Sequence, residues 1–148
     1  MVAAIIGLSG LAEFSRAATK TNILQVTATV IASCNITSVT DIAFGNYDPI
    51  SPVPTDATGS VTLQCAKDTA YKTYIVGTRT MTGGSDPLNF ELYSDAGRTM
   101  TFPSDNSGTA VNAPDINPIT ENIYGRIPAQ QNVGVANYSR TLTVTIEY

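Results

Sequence analysis

The chain has 148 residues, of which 43% are hydrophobic and only 14% charged, with a formal net charge of −4, two cysteines and neither histidine nor tryptophan. That size suits one compact domain, and without histidine no Ser/His/Asp or Cys/His nucleophile and no ordinary zinc site can be built. The eight Lys and Arg residues are scattered, which excludes the clustered positive charge that nucleic-acid binding needs. Charge lies well below the roughly 25% typical of soluble domains, while Thr, Ser, Asn, Gly and Pro are plentiful, as in β-rich extracellular proteins.

Val2, Ala3, Ala4, Ile5, Ile6, Gly7, Leu8 and Leu11 form an apolar run followed by Ser15-Arg16-Ala17. Small residues at the positions a signal peptidase reads predict a secretory signal over residues 1–17. The alternative is a buried first strand or helix, since the run is too short to span a bilayer. No other stretch approaches transmembrane length, so the chain is not expected to be an integral membrane protein.

In residues 21–31, Leu24, Val26, Ala28 and Val30 alternate with Gln25, Thr27 and Thr29, the period of a strand with one apolar and one polar face. Further strands are predicted near residues 32–39, 41–47, 60–65, 71–77, 88–93, 122–127 and 140–148. Breakers separate them, among them Asp48-Pro49, Ser51-Pro52-Val53-Pro54, Gly83-Gly84-Ser85-Asp86-Pro87, Asp105-Asn106-Ser107-Gly108 and Asn112-Ala113-Pro114. Short strands at such spacing describe a β-sandwich, and no segment beyond the signal carries a helical period. Cys34 and Cys65 each end an alternating segment, and in an oxidising compartment they pair as a disulfide; two buried free thiols are the alternative.

The ends are the informative part. Leu142, Val144, Ile146 and Tyr148 alternate with Thr141, Thr143, Thr145 and Glu147 to the last residue. An Ig-like sandwich needs a seventh strand after this one, while residues 18–31 supply a strand ahead of the first cysteine. Folded back, that spare strand makes a closed monomer; placed in a neighbour's gap, it propagates into a filament.

Several blocks resemble one family: Thr27-Ala28-Thr29-Val30-Ile31-Ala32-Ser33-Cys34, Ile42-Ala43-Phe44-Gly45-Asn46-Tyr47-Asp48-Pro49, Arg79-Thr80-Met81, Leu88-Asn89-Phe90-Glu91-Leu92-Tyr93-Ser94-Asp95 and Tyr124-Gly125-Arg126-Ile127-Pro128. They fall in the order found in the spore coat protein U domain family, which includes the Csu-type pilins of archaic chaperone-usher pili. The resemblance implies an all-β fold, an incomplete immunoglobulin-like β-sandwich of six main strands completed by a donor strand from a neighbouring subunit. It divides the chain into residues 18–31 as the N-terminal donor-strand extension and residues 32–148 as the pilin domain.

The roles it implies are Leu24, Val26, Ala28 and Val30 as donor residues, and Leu142, Val144, Ile146 and Tyr148 as the edge of the acceptor groove. Its implied partners are a periplasmic chaperone, an outer-membrane usher and identical or related pilin subunits, on a route through the periplasm to a surface pilus serving adhesion and biofilm formation. Gly134 and the aromatic Tyr148 also resemble the C-terminal pattern of chaperone-dependent pilins. The chain departs from the family at Thr101-Phe102-Pro103-Ser104-Asp105, where members often carry a Trp-Gly block; Phe102 offers a similar apolar face. Alternatives on the same fold are a spore or cell-surface coat protein and a single-domain adhesin.

No catalytic, cofactor-binding or metal-ligating residue is expected. Asp86, Glu91, Asp95, Asp105 and Asp115 fall in or beside turns, where Asp hydrogen-bonds its own backbone. Residues 105–108 lack the later ligands of a calcium loop. Tyr71, Tyr74, Tyr93, Tyr124 and Tyr138 read as half-buried strand tyrosines. Asn35-Ile36-Thr37 and Asn137-Tyr138-Ser139 match glycosylation sequons of low specificity.

Overall fold

The computed structural model describes residues 17–148, so the predicted secretory signal, apart from Ala17, lies outside the described residues. The described chain is all-β, with the strands β1 (Cys34–Thr40), β2 (Thr55–Cys65), β3 (Ala70–Val76), β4 (Thr80–Met81), β5 (Leu88–Asn89), β6 (Glu91–Tyr93), β7 (Val111–Asn112), β8 (Ile119–Ile127) and β9 (Thr143–Glu147). One sheet has the order β1-β2-β8-β6, a second β7-β3-β9, and β4 and β5 form a short hairpin. Every pairing is antiparallel.

Alternation sets the faces. Along β2, Gly59, Val61, Leu63 and Cys65 are buried, and along β8 Ile123, Gly125 and Ile127 are, so the two central strands turn one face inward. Buried Val61, Leu92, Ile123 and Ile127 pack with Ile75 and Val144 of the second sheet, joined by Met81, Leu88, Phe90 and Phe102. This is the face-to-face packing of a sandwich. A second cluster gathers Cys34, Leu63, Cys65, Tyr71 and Ala113, with Ile119 and Ile146 against it. Phe102 is buried in the main cluster, the apolar role expected where the family carries tryptophan.

Cys34 and Cys65 are disulfide-bonded and stand directly opposite in the β1–β2 ladder. The bond ties the first residue of the edge strand to its neighbour. On the outer face, Arg126 donates two hydrogen bonds to Asp56, at 2.7 and 2.8 Å, and Arg98 Nε lies 3.3 Å from the same carboxylate. The Arg126 hydrogen bonds hold the Asp56 carboxyl below the usual carboxylate range.

Four departures from the sequence expectation have physical causes. Residues 88–93 are two strands, because Phe90 N–H donates to Arg79 O at 3.0 Å and the chain changes partners there, from β4 to β8. β2 begins at Thr55, since β8 supplies a partner for every residue from Thr55 to Leu63. Residues 41–47 are not a paired strand: the β1–β2 ladder ends at Thr40↔Ser60, after which Ile42 and Phe44 settle over Gly59 and Gly125. Residues 21–31 carry no secondary structure and pair with no described strand: Leu24, Val26 and Val30 find no cover on their own fold, although the outer edge of β1 is free.

Candidate functional site

Two inward-facing residues are not covered. Ile36 stands opposite buried Leu63 and Val39 opposite buried Val61, yet they are 40% and 52% exposed. In a closed sandwich both would be interior. Beyond them opens a groove of about 870 Å³. Its floor includes Ile75, Phe90, Leu92, Ile123 and Ile127 from both sheets, one wall is residues 41–47, and the other runs through residues 133–142 to Val144.

Small residues shape the first wall. A Cβ on Gly59 would stand 2.6 Å from Ile42 Cγ1, and one on Gly125 2.7 Å from Phe44 Cζ. Both glycines occupy inward positions of central strands, where a larger side chain would lift the wall into the groove. At the far end Tyr47 Oη donates to Pro128 O and accepts from Gln131 N–H, each at 2.9 Å. Gln131 then clamps both backbone groups of Asn89 through its side-chain amide. The opposite wall is pinned where Thr82 and Ser139 exchange two backbone hydrogen bonds.

Both walls also present unused backbone groups. Among the described residues, the backbone of residues 41–47 hydrogen-bonds to no other backbone group, and β9 is laddered only on its β3 edge. Unpaired N–H and C=O groups beside an apolar trough are the chemistry that receives an added β-strand.

Of the residues with an expected acceptor role, Leu142 and Val144 line the groove. Ile146 packs on the disulfide cluster, and Tyr148 is exposed beside Tyr71 and Lys72 in a separate small recess. Of those with an expected donor role, Leu24, Val26 and Val30 are 87%, 87% and 89% exposed, and Ala28 is exposed as well. They stand outside the groove of their own chain. Gly134 lies on the groove rim, its carbonyl accepting from Tyr138 Oη at 2.9 Å.

The sequence reading missed Ile36, Val39, Ile42, Phe44, Gly59 and Gly125. The signal for the glycines was present: each interrupts an alternating strand at an inward position. The interior also holds polar groups, among them buried Thr69. Glu121 faces inward on β8 between the two clusters, and burial raises its carboxyl above the ordinary range, offset in part by the nearby Thr73 and Tyr71 hydroxyls. Burial, with Glu121 second, likewise raises the Tyr71 phenol. Thr73 Oγ1 is buried without a partner in hydrogen-bonding geometry.

Asp95 and Asp105 carry the turn role expected of them, Asp95 accepting from Thr99 and Met100 N–H and Asp105 from Ser107 N–H. Among the described residues no group of three or more His, Cys, Asp or Glu is placed to hold a metal ion, and no helix is long and apolar enough to cross a membrane.

A disulfide-tied, open-sided β-sandwich with an apolar trough and a loose strand-forming segment defines a class: a β-domain incomplete on its own. The chain belongs to the Spore Coat Protein U domain family, which matches residues 20–145. It is similar to Protein U of Myxococcus xanthus, 32% identical over 173 aligned positions covering 99% of this chain and 96% of that protein. The family is one of surface or coat proteins, and the disulfide agrees with a location outside the cytoplasm.

Proposed function

We propose that this chain is a structural subunit of a secreted surface pilus, in which the groove of one subunit receives residues 21–31 of the next. The observation that carries the reading is the pairing of an uncovered trough, with Val39 inward yet 52% exposed, and an alternating apolar segment that its own fold leaves in solvent. Strand addition supplies main-chain hydrogen bonds along both walls while alternate side chains enter the trough. Burying Leu24, Val26 and Val30 contributes about 1.5–3 kcal/mol each before the cost of ordering the segment.

An empty trough is an aggregation hazard, which supports a periplasmic chaperone that fills it before assembly and an outer-membrane usher that exchanges the filler for the next subunit. The role is structural, without catalysis or cofactor, and serves adhesion and biofilm formation at the cell surface. A second reading, a coat protein assembled by the same strand addition, is favoured by the match to the Spore Coat Protein U domain family.

The test removes residues 18–31 and follows thermal unfolding and polymerisation with and without a peptide of residues 21–31. Stabilisation of the truncated domain by the peptide, with polymers formed only by the full extension, supports the reading. A truncated domain that is already a stable monomer and ignores the peptide sinks it.

A further inference from the structure

Residues 21–31 lead into β1, whose Val39 stands at the mouth of the groove, so the same chain is one source of the strand that fills it. The connection is short: between Ile31 and Cys34, where β1 begins, stand only Ala32 and Ser33. A chain turning back there forms a hairpin against the free edge of β1, and its register is then fixed by the turn. Ile31 falls opposite Cys34, Val26 opposite Val39, Lys20 opposite Gly45 and Ala18 opposite Tyr47, to within the one residue that the bulge between Ile36 and Ser38 allows.

In that register the apolar pattern reaches only the mouth of the trough, with Val26 at Val39 and Leu24 at Asp41. Ala28 and Val30 lie against β1, ahead of the trough that opens at Val39. The end of the trough walled by Gly45 and Tyr47, floored by Phe90 and Leu88, meets Ala18, Thr19, Lys20 and Thr21. Burying an unpaired Lys there is strongly unfavourable. Freed from the tether the fit is good: residues 23–31 and the wall at residues 39–47 are equally long, each about 30 Å as a strand at about 3.3 Å per residue.

Resting on the strand-addition reading, we infer that the Ala32–Ser33 tether is a built-in bar to self-closure, and that it reserves the groove for residues 23–31 of a second copy of this chain. The tether acts by reach alone. Lengthening it converts an assembling subunit into a closed monomer.

The experiment inserts twenty Gly/Ser residues between Ile31 and Ala32, and as a control places the same insert between Asn22 and Ile23. Twenty flexible residues span about 25 Å on average and up to about 65 Å extended, enough to reach either end of the trough whichever way the strand runs. Linked segments have effective concentrations near millimolar. At micromolar protein the tether-lengthened chain is therefore expected to elute as a single subunit, with polymer reduced at least a hundredfold and the amides of residues 23–31 protected from hydrogen exchange. The control polymerises as the native chain does.

A tether-lengthened chain that polymerises like the native one overturns the inference. So does a native monomer whose residues 23–31 are already protected. If the domain lacking residues 18–31 binds the 21–31 peptide while lengthening the tether changes nothing, only the tether's role fails. If that domain does not bind the peptide, the strand-addition reading fails first and takes the tether with it.

Discussion

Gly125 of β8 lies directly beneath Phe44: a Cβ there would stand 2.7 Å from Phe44 Cζ and 3.0 Å from Ile42 Cγ2. One side of the trough is thus held down by the absence of a side chain. Gly125→Ala is expected to lift residues 42–44, weaken binding of the 21–31 peptide at least tenfold and cost about 1–3 kcal/mol of stability as overpacking. Adding Phe44→Leu should recover much of both losses. Peptide titration and urea unfolding of the single and double variants check this, and an additive double variant would show that the contact does not shape the groove.

Charge placed on either partner of the proposed strand exchange should block it. Val26→Asp leaves an exposed residue exposed in the isolated subunit, so folding is unaffected, but insertion would bury a carboxylate without a partner. Val144→Asp puts the charge in the trough wall. Both are expected to abolish filaments, seen by electron microscopy and sedimentation, while Val26→Thr retains them. Normal filaments from Val26→Asp would count against the assigned donor segment.

Glu121 makes stability fall as pH rises. Its folded-state value is raised by burial, so the folded domain favours the protonated acid. Its contribution is fully present below the unfolded value of about 4.3 and is lost as pH climbs through the folded value. Glu121→Gln is therefore expected to raise the melting temperature at pH 7 and to matter little below about pH 4. Thermal unfolding from pH 3 to 8 reads this, and a stabilising effect that is independent of pH would place the cause in packing instead.

Removing the disulfide tests the other end of the edge strand. The separation of Cys34 and Cys65 by 31 residues predicts a loss of about 3–4 kcal/mol from loop-closure entropy in the Cys34→Ala/Cys65→Ala double variant. Urea unfolding of oxidised wild type against that variant measures it. Since β1 forms one side of the sandwich opening, peptide binding should weaken in parallel.

How much of this was legible in the sequence differs by element. The period-2 runs around Val61, Ile75, Ile123 and Val144 declare their inward faces, because a half-buried strand leaves no other pattern, and the only two cysteines could pair only with each other. Residues 41–47 open with the same alternation, through Ile42 and Phe44, yet stay unpaired. Alternation reports which side chains are buried and says nothing about whether a neighbouring strand exists. The same limit applies to Tyr148, whose aromatic character fits a groove wall but whose position past the end of β9 takes it elsewhere. Gly59 and Gly125 read as weak points of strands, and only the packed structure shows what lies on them.

The position of Cys34 has a mechanical meaning for a fibre built in the proposed way. Any pull on an inserted residue 23–31 segment travels back through Ala32 and Ser33 and enters the sandwich at Cys34, the first residue of β1. Hydrogen bonds loaded there one at a time would peel an edge strand away. Because that residue is covalently fastened to Cys65 of β2, the force passes instead into the strand paired along its length with β8. Tension is thereby spread over the sheet, so the fold can carry load without unravelling from the end where it is pulled.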